Sequence, residues 1–140
     1  MYLWDSNVLR HYGEQHPNLL AHLQRVSWTE IALPSVVVAE VLRGRCEFAL
    51  KATSSEAPLA HQHLMRTWYF LQQFTVVVFD QVSAETMARL QRKISTRKCY
   101  ADVMIAATVL TGRHTLVTRN LGDFADLLPA NQVENWIDQP

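Results

Sequence analysis

Four acidic residues of this chain stand beside apolar residues, where an ionised carboxylate is unusual. Asp5 ends a short apolar segment, Glu40 lies within an apolar run, Asp102 precedes another, and Asp123 follows a fourth apolar segment by a few residues. Burying an unpaired carboxylate is very costly, so each of these side chains needs a partner. An arginine ion pair or a helix-capping role would satisfy any one of them, and capping is the simplest interpretation of Asp102 alone.

The four acids have no matching lysine or arginine residues close by in the sequence, which favours a shared partner. Carboxylates that repel one another are best stabilised together by a hard divalent cation with oxygen ligands, Mg²⁺ or Mn²⁺. A metal ion in such a site polarises a phosphoryl oxygen and generates a hydroxide-like nucleophile. This chemistry suits the hydrolysis of a phosphodiester.

Short apolar segments alternate with helical patterns along the chain, which predicts an α/β fold. Strands are expected at 2–4, 31–33, 75–79, 115–118 and 132–136, and helices near 19–26, 36–43, 83–94 and 101–110. Residues 45–73 predict a helical hairpin with a break at 52–58. We therefore expect an α/β/α sandwich around a parallel sheet, with the helical hairpin as an insertion.

Individual residues predict where these elements begin and end. Ser35 is expected to cap the helix 36–43, Gly44 to end it, and Ser83 to cap the next helix. The β-branched run 75–79 is typical of a strand buried on both faces. The carboxyl ends of parallel strands share one edge with the amino ends of the following helices, so all four acids should meet there.

Length and composition limit the possible classes of protein. The 140 residues fit a single domain spanning 1–140, and 49% hydrophobic with 19% charged residues excludes a disordered chain. No apolar run approaches the 18 or so residues of a membrane-spanning helix. Two cysteines and the absence of a leader sequence favour a reducing cytoplasm. With 13 basic and 13 acidic residues the net charge is zero, which argues against a general nucleic-acid coat but not against a local site.

Three segments of the chain carry a resemblance to a known family. They are residues 3–9 around Asp5, residues 35–44 around Glu40, and residues 101–108 together with 116–124 around Asp102 and Asp123. In order and spacing they resemble the PIN-domain ribonucleases, specifically the VapC-type toxins of type II toxin–antitoxin systems. The resemblance extends over essentially the whole chain and is most specific in the last segment.

The resemblance implies an endoribonuclease that depends on Mg²⁺ or Mn²⁺ and cuts single-stranded or loop RNA by water attack. The four acids would be catalytic, with Asp5, Asp102 and Asp123 as metal ligands. Glu40 would be either a further ligand or the group that orients and deprotonates the attacking water. The supporting polar positions are Ser6, Thr118 and Asn120.

Two departures from the family pattern are visible, and simpler roles exist for the supporting residues. Ser6 stands where threonine is common, and the segment 97–100 lacks the glycine-rich turn often found before the third acid. Thr118 and Asn120 could serve ordinary strand-end turns, and Ser6 could cap a helix.

The partners implied are an RNA substrate, a cognate antitoxin protein and a second copy of the chain in a homodimer, with no membrane. A basic run could hold RNA phosphates, or it could be a solvated helix face; it comprises Arg89, Arg92, Lys93, Arg97 and Lys98. Arg43 and Arg45 could assist, or could complement a helix dipole. Three consecutive aromatics at 68–70 cannot all face one core, so at least one could contact a protein partner.

Two other classes of function remain open. The first is a PIN-like binding module that acts with its antitoxin in DNA-binding autoregulation and has little or no nuclease activity. The second is another metal phosphohydrolase on a doubly wound sheet. A haloacid-dehalogenase type is disfavoured because Asn7, two residues after Asp5, stands where that class needs a second aspartate.

Overall fold

A parallel β-sheet forms the centre of the molecule. The computed structural model describes residues 1–94 and 98–140. Its strands are β1 (Tyr2–Trp4), β2 (Ile31–Pro34), β3 (Thr75–Val77), β4 (Thr115–Val117) and β5 (Val133–Glu134). They lie in the order β3-β2-β1-β4-β5, and every neighbouring pair is parallel. The first strand of the chain is therefore the central one.

Helices connect the strands and cover both faces of the sheet. They are α1 (Ser6–Gly13), α2 (Pro17–Leu23), α3 (Ser35–Lys51), α4 (Ala57–Leu71), α5 (Gln81–Lys93), α6 (Tyr100–Gly112) and α7 (Leu121–Phe124). The predicted α/β/α arrangement around a parallel sheet is confirmed. Within residues 1–94 and 98–140, no helix has the length and apolar character needed to cross a membrane.

The hydrophobic core lies on both sides of the sheet, because successive residues of a strand point to opposite faces. Trp4 of β1 packs on one side with Leu19 of α2 and with the ring of Phe74, whose centroid lies 5.7 Å away. Leu3 packs on the other side, against α3 and α6. Residues 105–109 of α6 are all buried, which confirms the prediction of a central buried helix.

Helix α3 does not end where the sequence predicted. It continues through Gly44 to Lys51, so the prediction that Gly44 terminates it was wrong. No glycine of the described chain has a positive φ, and Gly44 therefore lacks the left-handed conformation of a helix end. The predicted hairpin is present with its break after Lys51, but its first arm is the second half of the helix that carries Glu40.

The predicted helix caps also differ from the observed ones. Asp80 rather than Ser83 caps α5, and its Oδ1 accepts a hydrogen bond from the Ser83 backbone N–H at 2.8 Å. Ser35 is the first residue of α3 rather than its cap. Its Oγ accepts a hydrogen bond from the Phe79 backbone N–H at 2.9 Å, which ties the start of α3 to the chain just after β3.

Strand β3 lies at the edge of the sheet, so the prediction of a strand buried on both faces was wrong. It ends at Val77, and Val76 is 40% exposed. A β-branched run does not by itself distinguish an edge strand from a central one. Helix α1, for which the sequence analysis predicted no element, follows β1 directly.

Replacing Gly44 with alanine tests the continuity of α3. A Cβ at Gly44 would meet no atom within 4 Å, and glycine in a helix interior is about 0.5–1 kcal/mol less favourable than alanine. We therefore expect Gly44→Ala to raise the free energy of unfolding by about that amount in urea denaturation. A decrease of similar size would mean that Gly44 ends a helix in the left-handed conformation, and would contradict the structure.

Candidate active site

Asp5 is a buried carboxylate fixed by hydrogen bonds at the carboxyl end of the central strand. It is 6% exposed and caps α1, with Oδ1 accepting from the Val8 backbone N–H at 2.9 Å. Its Oδ2 accepts from the Thr118 hydroxyl at 2.5 Å. Burial raises the pKa of Asp5 above its ordinary value, and these hydrogen bonds oppose the rise. The side chain is therefore held in one orientation while its charge remains poorly solvated.

Thr118 is oriented by its own neighbour. It is fully buried just after β4, and its Oγ1 accepts a hydrogen bond from the Asn120 backbone N–H at 3.0 Å. With that bond in place, the hydroxyl proton is directed toward Asp5. Asn120 acts through its backbone, since its side chain is exposed and makes no capping hydrogen bond to α7. Ser6 is the first residue of α1, and Asp5 is the residue that caps that helix.

The structure brings the other three predicted acids to the same edge as Asp5. Glu40 lies on α3, Asp102 in the first turn of α6 and Asp123 on α7. Burial raises the pKa of Asp102, and the charges of Asp123 and Asp5 raise it further. Burial, Asp102 and Asp5 likewise raise the pKa of Glu40, while Arg43 opposes the rise. Neighbouring carboxylates thus disfavour the ionised forms of Glu40 and Asp102, the first through Asp102 and Asp5 and the second through Asp123 and Asp5.

Among the described residues, no lysine or arginine lies within 4.0 Å of a carboxylate of the acidic cluster, which comprises Asp5, Glu40, Asp102 and Asp123. The ion pairs found within 4.0 Å among residues 1–94 and 98–140 do not include any of the four. Two cations act on the cluster without pairing with it: the charge of Lys98 lowers the pKa of Asp102, and that of Arg43 lowers the pKa of Glu40. The Lys98 amine contacts the Asp123 carbonyl oxygen at 3.4 Å and a carboxylate oxygen of Asp126 at 3.6 Å.

The donor chemistry of the acidic cluster fits a hard divalent cation, but the side chains do not form a finished coordination shell. Among the described residues, no three His, Cys, Asp or Glu side chains are arranged so that they could hold a metal ion as they stand. Mutual repulsion separates carboxylates that have no cation between them. Mg²⁺ also keeps several waters and is commonly held by one or two carboxylates plus substrate phosphates, so a closed cage is not required.

Among the described residues of the predicted basic run, Lys98 lies beside the acidic cluster, whereas Arg89 and Lys93 do not. Arg89 donates a hydrogen bond to Thr86 Oγ1, which also accepts one from the Thr111 hydroxyl at the far end of α6. Thr111 lies nine residues beyond Asp102 on α6, about 13.5 Å along the helix axis. Arg89 and Lys93 line a groove between α5 and α6, Arg92 is exposed on α5, and Arg97 lies outside the described residues.

A second basic feature, of which the sequence predicted only Arg45, lies near the acidic cluster. A groove of about 540 Å³ lies between α1, α3 and α4, and Arg10, Arg45 and Arg66 line it. The sequence signal is a basic residue, Arg10, four positions after Ser6 on α1. That signal has meaning only once residues 6–13 are known to be helical.

Replacing Asp102 with asparagine tests whether the acids repel one another in the protein without metal. Because the folded-state pKa of Asp102 is raised above its ordinary value of 3.8, the free energy of unfolding falls as pH rises from that ordinary value to the raised one, and the penalty is absent in stronger acid. We expect Asp102→Asn to increase the free energy of unfolding at pH 7.5 in EDTA by up to about 1 kcal/mol, since solvent screens a half-exposed carboxylate. The gain should shrink toward pH 4.5.

An exposed acid outside the cluster provides the control for this comparison. Glu85→Gln on α5 should change the free energy of unfolding by less than about 0.5 kcal/mol. Thermal and urea denaturation of the three proteins give the comparison directly. If Asp102→Asn is less stable than the wild type at pH 7.5, the ionised carboxylate of Asp102 stabilises the fold. That result would refute the claim that the acids repel one another.

Solved structures with the same fold include components of toxin–antitoxin complexes. FitAcB from Neisseria gonorrhoeae matches with 26% identity, a TM-score of 0.73, and coverage of 97% of this chain and 98% of the other. A toxin–antitoxin complex from Klebsiella pneumoniae matches with 22% identity and a TM-score of 0.70, covering 97% and 98%. DNA-bound VapBC from Salmonella typhimurium matches with 20% identity and a TM-score of 0.76, covering 96% and 97%.

The family of the chain follows from its sequence as well as its fold. A comparison with curated protein sequences gives no match. The family model described as PIN domain matches residues 2–127, a range that includes all four acids and the strands β1 to β4. The resemblance predicted from the sequence is therefore confirmed, and this chain belongs to the PIN domain family.

Proposed function

We propose that this protein is a metal-dependent endoribonuclease and the toxin of a toxin–antitoxin pair. The observation that carries the proposal is the acidic cluster, in which Asp102 and Glu40 have raised pKa values partly because neighbouring carboxylates act on them. A site with excess negative charge and no paired lysine or arginine among the described residues is suited to a divalent cation. Membership of the PIN domain family supports a nuclease.

In this proposal Asp5, Asp102 and Asp123 hold the cation, directly or through water. Mg²⁺ or Mn²⁺ bound there supplies Lewis-acid polarisation of a phosphoryl oxygen and lowers the pKa of water. Thr118 acts by position, because its hydroxyl fixes the carboxylate of Asp5. Asn120 supports Thr118 through its backbone N–H, and Ser6, in the first turn of α1, is proposed as a further supporting position.

Glu40 is suited to accept the proton of the attacking water. Burial and the charges of Asp102 and Asp5 raise its pKa, which makes its carboxylate a stronger base than a solvated glutamate. Its position on α3 places it beside Asp5 and Asp102 without an ion pair within 4.0 Å in the described structure. The same side chain could instead serve as a further metal ligand.

A protein partner is proposed because a similar structure is a protein complex and because this chain exposes apolar side chains. The similar structure from Klebsiella pneumoniae is a toxin–antitoxin complex. Among the three consecutive aromatics of α4, Phe70 is half-buried, whereas Trp68 and Tyr69 are 45% and 63% exposed. Exposed aromatics of this kind are enriched at protein interfaces, so an antitoxin and a second copy of the chain are the proposed partners.

A second candidate function is a role in DNA binding together with an antitoxin. Similar structures include VapBC from Salmonella typhimurium and FitAB, each bound to DNA. In this alternative the chain would contribute to a DNA-binding complex and have little or no nuclease activity. RNA cleavage by the isolated chain distinguishes the two candidates, because the alternative does not require it.

The cleavage test compares wild type, Asp5→Asn and Asp102→Asn on structured RNA in Mg²⁺, in Mn²⁺ and in EDTA. We expect wild type to cut RNA in one or both metals and not in EDTA, and each variant to be at least about 100-fold slower because it loses a metal ligand or its orientation. Gel electrophoresis of end-labelled RNA measures the rates.

Glu85→Gln serves as the matched control, since it also removes one carboxylate but lies on the exposed side of α5. It should cut at the wild-type rate. Absence of cleavage by wild type in both metals, or equal cleavage by the aspartate variants, would refute the ribonuclease proposal. The first of these results would leave the DNA-binding alternative.

A further inference from the structure

The groove between α1, α3 and α4 begins next to the acidic cluster. Ser6 and Val41 both line it, and they directly follow Asp5 and Glu40 in the chain. A strand of nucleic acid whose scissile phosphate lies at the acids would therefore enter this groove on one side. The groove holds about 540 Å³, which is large enough for a segment of extended chain.

Each of the three helices contributes one arginine to the groove, and each does so through helical spacing. Positions i, i+3, i+4 and i+7 share one face of a helix. The lining residues follow this pattern on α1 and on α4, and positions i and i+4 on α3, so that Arg10, Arg45 and Arg66 converge from three directions. The convergence is a property of the fold, since these residues are far apart in sequence.

The groove carries positive charge that the described protein does not neutralise. Its lining includes three arginines and His63 but no acid, and none of the three arginines forms an ion pair within 4.0 Å in residues 1–94 and 98–140. All three are exposed. Although the net charge of the chain is zero, the groove has an excess of positive charge and the acidic cluster has an excess of negative charge. Guanidinium groups donate two parallel hydrogen bonds to phosphate oxygens. Ionised carboxylates have no proton to donate and repel phosphates.

We infer that this groove holds the phosphodiester backbone of single-stranded RNA on one side of the cleavage site, with Arg10, Arg45 and Arg66 contacting phosphates. The inference rests on the proposed ribonuclease function. The acidic cluster repels the phosphates of its substrate, and cationic side chains along the approach offset that repulsion. Phe70 and Leu9 give the groove an apolar part, and unpaired bases pack on aromatic side chains.

An acidic segment of a protein partner would also complement arginines, and the structure favours RNA because the lining residues Ser6 and Val41 directly follow Asp5 and Glu40 in the chain. A peptide that reached the cluster would need cationic residues there, whereas an RNA strand reaches it with the phosphate to be cut. We therefore assign the groove to RNA, and the test also measures binding of an acidic peptide.

The test measures RNA binding without cleavage. Wild type and the variant Arg10→Gln/Arg45→Gln/Arg66→Gln bind a fluorescent single-stranded RNA in EDTA at several salt concentrations, followed by anisotropy. Each lost phosphate contact reduces the slope of log K against log salt by about 0.7 for single strands. We expect the variant's slope to be shallower by about 2, with at least tenfold weaker binding at low salt.

The matched control is Arg25→Gln/Lys51→Gln/Arg113→Gln, which removes the same charge from exposed residues that do not line the groove. Its slope should change by less than about 0.7, the value of one contact. A charge-neutral variant, Gly13→Tyr, should also weaken RNA binding, because Gly13 lines the groove and a Cβ there meets no atom within 4 Å. Circular dichroism confirms that each variant is folded.

Several results would overturn the inference. They are a wild type that binds no RNA, an unchanged slope in the groove variant, or an equal change in the control variant. The same proteins are also titrated with a fluorescent polyglutamate peptide. If the groove variant loses binding to this peptide but binds RNA as the wild type does, the groove is assigned to an acidic peptide instead. Because the measurement needs no cleavage, groove-dependent binding by a protein that cuts nothing would refute the ribonuclease proposal and leave the groove assignment in place.

Discussion

Four carboxylates meet at one edge of the parallel sheet, and the surrounding elements hold them there although like charges repel one another. Asp5 is buried at the end of the central strand, and Glu40, Asp102 and Asp123 come to it from three different helices. Such an arrangement opposes folding at neutral pH, so the remainder of the molecule must offset it. The two-sided core around Leu3 and Trp4 provides that stabilisation.

The fold fixes the acids through contacts made by their neighbours. The hydrogen bonds of Thr118 and Val8 hold Asp5, and the buried residues of α6 hold the backbone beneath Asp102. The bond from the Phe79 N–H to Ser35 ties the beginning of the Glu40 helix to the chain after β3. A site assembled in this way keeps its charges close together although they repel, which is the preorganisation that a divalent cation and a charged substrate require.

The parts of this arrangement that are local could be predicted from the sequence. Glu40 and Asp102 can be identified because an acid beside an apolar run is costly wherever it occurs, and Asp5 because it ends the first of the short apolar segments that predict the strands. The end of α3 could not be predicted, because packing of α4 along α3 carries the helix past Gly44. The exposure of Val76 depends on strand order, which no local pattern contains.

Local sequence also could not predict which basic residues lie near the acids. Arg89 is near Asp102 in sequence but bonds to Thr86, which lies beside the opposite end of α6, whereas Arg10 and Arg66 are distant in sequence and line one groove. Only the fold determines which positive charges lie beside the acids. The zero net charge of the chain therefore conceals an acidic cluster and a basic groove that adjoin each other.

The central claim is that the acidic cluster binds a divalent cation, and titration calorimetry with Mn²⁺ tests it most directly. The predicted result is saturable binding by wild type at pH 7.5 that weakens as the pH is lowered and the carboxylates take up protons. Asp102→Asn should bind at least about tenfold more weakly, and Glu85→Gln as wild type does. Binding of equal affinity by wild type and Asp102→Asn, or no binding by either, would show that the acidic cluster is not a site for a divalent cation.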